Sequence, residues 1–541
     1  MRILVFHGYL LAGTGSNVYN ARLAAAFVKL GHEVHLLCQE RHPERQPFVD
    51  AAGDWDDGAL QVRELRGGRE HGAGAARCVV YRPDIGGLLP VYVADRYEGI
   101  ETRTFAQCSD EEIARYVAAN VAAVREVVER AGPDVALANH LVMGPVILAR
   151  ALGGAVPYAV KVHGSALEYT VKPQPERFLP FAREGVGGAG GVLVGSHHTA
   201  ASLWRVLGDR EVERRTRLGP PGVDIERFVP RRADAAGEAL RELAARLLAG
   251  STGVAAGAVE AGEAGERQVS KADAFARDER AAGGVLASLR PGEDRLVAFV
   301  GKLIVSKGVD LLLAAWPLVL EAAPDARLVV VGFGAYRQAF ENLRDALSAG
   351  ELDRAMAIAR AGRALEDGSA AARPLRHLLA FLESLHGEEL ERYLAAAGAL
   401  GERVVLTGRL EHDELSELLP ACEAIVVPST FPEAFGMVAA EAAACGALPI
   451  SAAHSGLAEV SDALAGAIPR EIVRLLSFAV DDGAVRALAE RVSGWLAADP
   501  SLKARARAGL VETVRERWSW EGVARGVIDA ARGELDGLQA P

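Results

Sequence analysis

The chain has 541 residues, half of them apolar and 24% charged, and its 60 Lys and Arg against 72 Asp and Glu give a net charge of −12. At roughly 100–200 residues per domain that length allows two to four domains with ample core, and the composition excludes both a disordered chain and a basic nucleic-acid binder. The five cysteines, Cys38, Cys78, Cys108, Cys422 and Cys445, form no C-x-x-C pair, which argues against a disulfide framework or a structural zinc site and fits reduced thiols in a cytoplasm.

The start, Met1 to Gly8, meets a glycine after an apolar run too short for a signal-peptide core. The longest largely apolar stretch, residues 141–162, is interrupted by Pro145, Arg150, Gly153, Gly154 and Lys161, so no segment of about 20 apolar residues is present. The expectation is a cytoplasmic chain without a transmembrane segment, with any membrane contact peripheral. Ile3 to Phe6 reads as a buried strand closed by a loop bearing Gly8, Gly13 and Gly15. A helix follows, with Val18, Ala21, Ala25 and Val28 on one stripe and Gly31 placed for a left-handed cap, and then a strand over residues 34–38. This strand, glycine loop, helix, strand order is a βαβ unit. Further strands are predicted at 79–81, 135–137, 158–162 and 192–194, giving a doubly wound domain over residues 1–222.

Residues 223–293 read as a linker and low-complexity insertion, with a helix and then a mobile Ala-, Gly- and Glu-rich run within 232–292. A second strand series, at 296–300, 328–331, 404–406, 424–427 and 448–450, predicts a second α/β domain over 294–515. The apolar stripe of Leu343, Leu347, Leu352, Met356, Leu375, Leu378, Leu379, Leu382 and Leu385 predicts a helical insertion at about 335–400. Residues 516–541 end the chain as an amphipathic helix. Two such domains facing a cleft place a ligand between them.

The most informative stretch runs from Pro428 to Ala442. A buried strand over 424–427 ends at a proline, and an alanine-rich helix is predicted to begin near Phe435, so the unpaired amides of Phe435, Gly436, Met437 and Val438 offer a dock for phosphate. Glu433 and Glu441 flank that helix start, eight residues apart. Asp54-Trp55-Asp56 is literally a D-x-D metal–diphosphate motif, but its acidic surroundings predict a solvated loop and no essential metal.

The stretch resembles the C-terminal signature of the retaining GT-B glycosyltransferases of family 4, the glycosyl transferases group 1, whose E-x7-E motif Glu433 and Glu441 match. Gly301-Lys302-Leu303-Ile304-Val305-Ser306-Lys307-Gly308 is similar to the family's G-R…K-G stretch, with Lys302 where arginine is usual; a lysine keeps the charge and loses the bidentate geometry. Gly13-Thr14-Gly15-Ser16-Asn17 resembles its glycine-rich loop. His163, after an apolar strand, matches its active-site histidine, His140 resembles a second family histidine, and Leu410 falls where the family packs the nucleobase. Pro221-Gly222-Val223-Asp224 looks like its domain junction, His454-Ser455-Gly456 its G-G-x-x-E stretch, and the final helix the one that crosses back to the first domain.

The resemblance implies two Rossmann-like domains and transfer of a sugar from a UDP- or GDP-sugar to an acceptor hydroxyl with retained configuration, without a metal or bound cofactor. His163, Lys302, Lys307 and Glu433 would carry the catalytic roles. Gly15, Leu410, Phe435, Gly436, Met437, Val438 and Glu441 would hold the donor, and Ser16, Asn17 and His140 would face the acceptor. The acceptor class (small molecule, glycan or lipid-linked) stays open, as does an oligomer built through the insertions. An epimerase of the same fold and a catalytically silent nucleotide-sugar scaffold are the alternatives.

Overall fold

The computed structural model describes every residue except 14, 57, 67–75, 94–96, 98, 251–276 and 368–371. The chain divides into two compact units, Met1–Gly222 with Arg517–Pro541, and Val223–Glu516.

The first unit is built on β1 (Arg2–Phe6), β2 (Glu33–Leu37), β3 (Ala51–Asp56), β4 (Ala59–Glu64), β5 (Arg77–Arg82), β8 (Val135–Asn139), β9 (Tyr158–Val162), β10 (Gly191–Val194) and β11 (Thr216–Leu218), hydrogen-bonded in the order β11-β10-β9-β8-β1-β2-β5-β3-β4. All neighbours are parallel except the β3–β4 edge hairpin. A separate parallel pair is formed by β6 (Leu88–Val91) and β7 (Glu101–Thr104). Strands such as Val135–Asn139 and Tyr158–Val162 are buried at every position because helices cover both faces, which is why they read as largely apolar runs, Asn139 and Lys161 excepted. One covering helix is the C-terminal Trp520–Arg532, whose Ala524, Val527, Ile528 and Ala531 share a core with Leu23, Phe27 and Leu137.

The second unit is a parallel sheet of β12 (Arg295–Val300), β13 (Ala326–Val331), β14 (Val404–Gly408), β15 (Ala424–Val427), β16 (Leu448–Ala452) and β17 (Ser477–Phe478), ordered β14-β13-β12-β15-β16-β17. Strand order reverses between β12 and β15, so the loops leaving the carboxyl ends of these two strands diverge and open the crevice where doubly wound sheets bind ligands. In the first unit the same reversal falls between β1 and β8.

Three expectations change. Asp54-Trp55-Asp56 is strand, the end of β3, and not a solvated loop: Asp54 is paired with Arg82 at 2.8 Å, and the Trp55 indole donates to Glu126 at 2.7 Å. The helix expected from Phe435 begins two residues later, at Met437. Of the 223–293 stretch, the described part holds two helices, Ala233–Gly250 and Glu279–Ala287, packed on each other within the second unit, while 251–276 lies outside the described residues. The described part of the 335–400 insertion is mostly helical: Tyr393 is buried there and donates to Ala314 O at 3.0 Å, fastening it to the helix Val309–Ala322. No described helix is long and apolar enough to cross a membrane.

Candidate functional site

In the second unit β12 delivers Gly301-Lys302 and β15 delivers the 428–436 loop, side by side at the switch point. Residues Val305–Lys307 form a single 3-10 turn that ends at Gly308 with φ +66°. A Cβ on Gly308 would lie 2.0 Å from Pro428 O, so only glycine lets the two loops approach this closely. They are stitched together by Thr430 N, which donates to Ser306 O at 2.9 Å.

That approach joins Lys307 to Glu433. The ammonium donates to Glu433 Oε1, which also accepts from Ser429 Oγ at 2.6 Å, and both charged side chains keep a partly exposed edge. The Glu433 backbone is fixed in turn: its amide donates to Ser455 Oγ at 2.9 Å and its carbonyl accepts from Gly456 N at 3.0 Å. Ser455 sits at φ +54°, in the left-handed region, where the resembling family has glycine. Its neighbour His454 bonds Ser429 O through Nε2 at 2.8 Å. These residues hold one carboxylate and one ammonium at the mouth of the crevice.

The helix Met437–Ala444 starts immediately beyond, and its first intrahelical bond is Ala440 N to Gly436 O at 3.0 Å. The amides of Met437, Val438 and Ala439 therefore have no carbonyl upstream in the helix and present a positive pole. One turn on, Glu441 is 4% exposed and its Oε1 pairs with His412 Nε2 at 2.7 Å. The His412 ring packs 4.9 Å from that of Phe228. Leu410, buried, follows β14 two residues before His412. Below the Lys307 loop, Asp310 is buried in the first turn of Val309–Ala322; burial pushes its carboxyl up to about 7, and its Oδ1 has no partner. The buried Tyr336 hydroxyl is likewise unpartnered.

In the first unit the carboxyl ends of β1, β8 and β9 place His7, His140 and His163 in a row, with ring centroids 6.1 Å and 4.9 Å apart. Burial, and then the charge of His140, hold His163 far below the usual imidazole range. Its Nε2 pairs with Asn139 Oδ1 at 2.8 Å, so with Oδ1 accepting, the proton sits on Nε2 and Nδ1 is the acceptor. Tyr19 lies edge-on at 4.8 Å. His140 is 2% exposed, has φ +69°, and neither ring nitrogen has a partner.

Asn17, in the first turn of the helix Gly15–Lys29, is occupied: its Oδ1 accepts from His7 Nε2 at 3.0 Å and its Nδ2 donates to Ala12 O at 2.8 Å; Gly15 and Ser16 beside it are exposed and half-buried. Lys161 is 2% exposed beneath Tyr19 and donates to Gly219 O; burial lowers it to about 7.

Each unit thus gathers most of its own predicted residues at a switch point. Sequence reasoning did not single out Ser429 and Ser455 as partners of Glu433, His454 as the residue that bonds both of them, or His412 and Asn139. Ser429 stood inside the quoted motif, and a hydroxyl four residues before a glutamate was the available signal. Among the described residues no group of His, Cys, Asp and Glu is arranged to hold a metal ion.

The profile of the glycosyl transferases group 1 matches residues 287–351 and 384–509, and that of the glycosyl transferase 4-like domain matches 14–222. A D-inositol 3-phosphate glycosyltransferase of Segniliparus rotundus is 29% identical over 266 residues, covering 49% of this chain and 45% of that protein. An uncharacterized glycosyltransferase of Methanocaldococcus jannaschii is 23% identical over 44% of each. The match thus spans less than half the length of these curated relatives. Among solved structures, a sucrose-phosphate synthase of Thermosynechococcus elongatus aligns over 99% of both chains with TM-score 0.55 and 19% identity. The Anabaena protein HepE, solved with UDP and glucose, aligns over 99% of this chain and 100% of its own, with TM-score 0.53 and 16% identity. With the GT-B fold and with profiles matched in both units, the chain belongs to the glycosyl transferases group 1.

Proposed function

We propose that the chain moves a sugar from a nucleoside diphosphate sugar to an acceptor hydroxyl with retention of anomeric configuration and without a metal. The observation that carries this is the second unit's switch point, where the Lys302 loop, the Lys307–Glu433 pair and the start of the helix Met437–Ala444 converge. Breaking the glycosyl–phosphate bond places negative charge on the departing diphosphate. Two lysines and a fixed helix pole meet that charge without reorganising, which is the arrangement that lowers such a barrier. Lys302 supplies the positive charge without the planar two-pronged donor geometry of an arginine.

In this reading Glu433 orients the sugar hydroxyls and Glu441, steadied by His412, accepts from the ribose. The backbone around Leu410 packs the base. The acceptor oxygen bonds to the anomeric carbon as the bond to phosphate breaks, and the acceptor proton leaves with the diphosphate; no covalent enzyme intermediate forms. His163, neutral with a free Nδ1 lone pair, is assigned to a sugar hydroxyl, and Ser16 and His140 to the acceptor side. The bound UDP of the HepE structure supports a UDP-sugar as donor.

A thermal-shift panel of UDP, GDP, ADP and their glucose and mannose conjugates, with and without divalent metal, tests the assignment. A ligand at about 100 times its Kd stabilises by roughly 2.7 kcal/mol. A metal-independent shift for one base that is reduced in Glu441→Ala supports the donor site; no shift for any nucleotide favours the silent scaffold, and conversion of the donor without acceptor favours the epimerase.

A further inference from the structure

The turn that carries Lys307 is not capped by its own sequence. Ile304 occupies the N-cap position and has no side-chain acceptor to offer the first amide of Val305–Lys307. The missing acceptor comes from 61 residues along the chain: Val305 N donates to Glu366 Oε2 at 3.0 Å. Other amides of the loop end on backbone. Leu303 N donates to Phe333 O at 2.7 Å, Ile304 N to Lys302 O at 3.0 Å, Lys307 N to Ile304 O at 3.0 Å and Gly308 N to Val305 O at 3.1 Å. Val305 N is thus bonded to a side chain from a distant segment, at the point where the turn begins.

Glu366 lies on the short helix Ala364–Asp367 inside the insertion, between the two stretches matched by the group 1 profile. Its segment is closed at the base. Arg363 N donates to Arg373 O at 3.1 Å, Leu375 N donates to Ala359 O at 2.8 Å, and a Cβ on Gly362 would lie 2.0 Å from Arg373 O. The carboxylate is therefore delivered by an anchored element, and a carboxylate on the leading amide of a turn both satisfies the amide and complements its dipole.

We propose that Glu366 is a positioning residue for the donor diphosphate: it fixes the Val305–Lys307 turn and, through it, the direction in which Lys307 presents its ammonium. The proposal rests on the reading of 301–308 as the diphosphate loop. It also gives the insertion a role, tying an element outside the family's matched segments to the cation of the reaction.

The test is titration calorimetry of UDP, GDP and ADP into wild type, Lys307→Ala, Glu366→Ala, Glu366→Gln, Glu366→Asp and the Glu366→Ala/Lys307→Ala double variant. Glu366→Ala is expected to weaken the nucleotide that binds by about tenfold, a larger loss than any lowering of the melting temperature of the free protein would bring at the assay temperature. Glu366→Gln, which keeps an acceptor oxygen at the same reach, restores binding; Glu366→Asp, one methylene short, does not. The double variant binds no more weakly than Lys307→Ala alone, because the effect runs through that lysine.

If Lys307→Ala weakens binding but Glu366→Ala and Glu366→Asp bind as wild type, the proposal is overturned and the donor site stands. Additive losses in the double variant overturn it as well. If no nucleotide binds wild type, or Lys307→Ala leaves affinity unmoved, the donor-site reading itself fails. Should Glu366→Ala fail to fold, the contrast between Gln and Asp decides.

Discussion

Ser455 shows how a single position carries both strain and function. A left-handed backbone at a residue with a Cβ costs of order 1 kcal/mol, and here it is offset by the bond from Glu433 N at 2.9 Å. Ser455→Ala keeps the strain and loses the bond, so it lowers stability by about 1–2 kcal/mol, read by thermal unfolding, and loosens Glu433. Ser455→Gly removes both terms and stays near wild type in stability. Two buried ionisable groups set opposite pH slopes. Burial raises Asp310 to about 7 from 3.8, so the folded state holds the extra proton between those values and stability falls as pH rises from about 4 to about 7. Burial lowers Lys161 from 10.5 to about 7, so the unfolded chain holds the extra proton above pH 7 and stability rises with pH toward about 10. The difference in melting temperature between wild type and Asp310→Asn is expected to change across pH 4 to 7, and that between wild type and Lys161→Met across pH 7 to 10, over a background in which buried His7 and His35 give the opposite slope on the acid side. Glu433 and Glu441 stood out because a strand, a proline and a helix start surround them within a few residues, and Lys307 through the resemblance of 301–308 to the family's G-R…K-G stretch. Ser455 and His412 did not, since what defines them is a bond reaching 22 and 29 residues away.

At the level of elements, the central strands were read to within a residue or two, and β9 and β15 at their observed ends, because helices on both faces leave few polar positions to blur the run, Lys161 being the one within β9. The outer hairpin β3–β4 was missed for the opposite reason. Ala59–Glu64 has no buried residue, and Asp54 and Trp55 lie at a half-exposed edge satisfied by Arg82 and Glu126, so their sequence carries a loop's polarity. The helix at 437 begins later than expected because the 428–436 loop spends Glu433 and its neighbours on bonds to Ser429, Ser455 and Gly456 before the chain turns. Two elements invite direct tests. Gly308→Ala drives a Cβ to 2.0 Å from Pro428 O and separates the Lys307 and Glu433 loops; a stability loss of at least about 2 kcal/mol and a marked fall in nucleotide affinity are expected. Val527→Asp places a carboxylate in the core shared by Trp520–Arg532 and Leu137 and lowers stability by about 3 kcal/mol or more, measured by calorimetry.

Across the whole molecule, both units follow one rule: parallel strands bring chemistry-bearing residues to the carboxyl ends where strand order reverses, β1 and β8 in one, β12 and β15 in the other. The net charge of −12 gives no general attraction for an anionic donor, so in the proposed reading recognition falls to Lys302, Lys307 and the amides of Met437, Val438 and Ala439. The most direct measurement is a crystal structure of the protein grown with UDP and EDTA. The account predicts diphosphate density on those two lysines and three amides, with a ribose hydroxyl on Glu441. Diphosphate bound elsewhere on the chain, or density at this site only when a divalent metal is added, would contradict it.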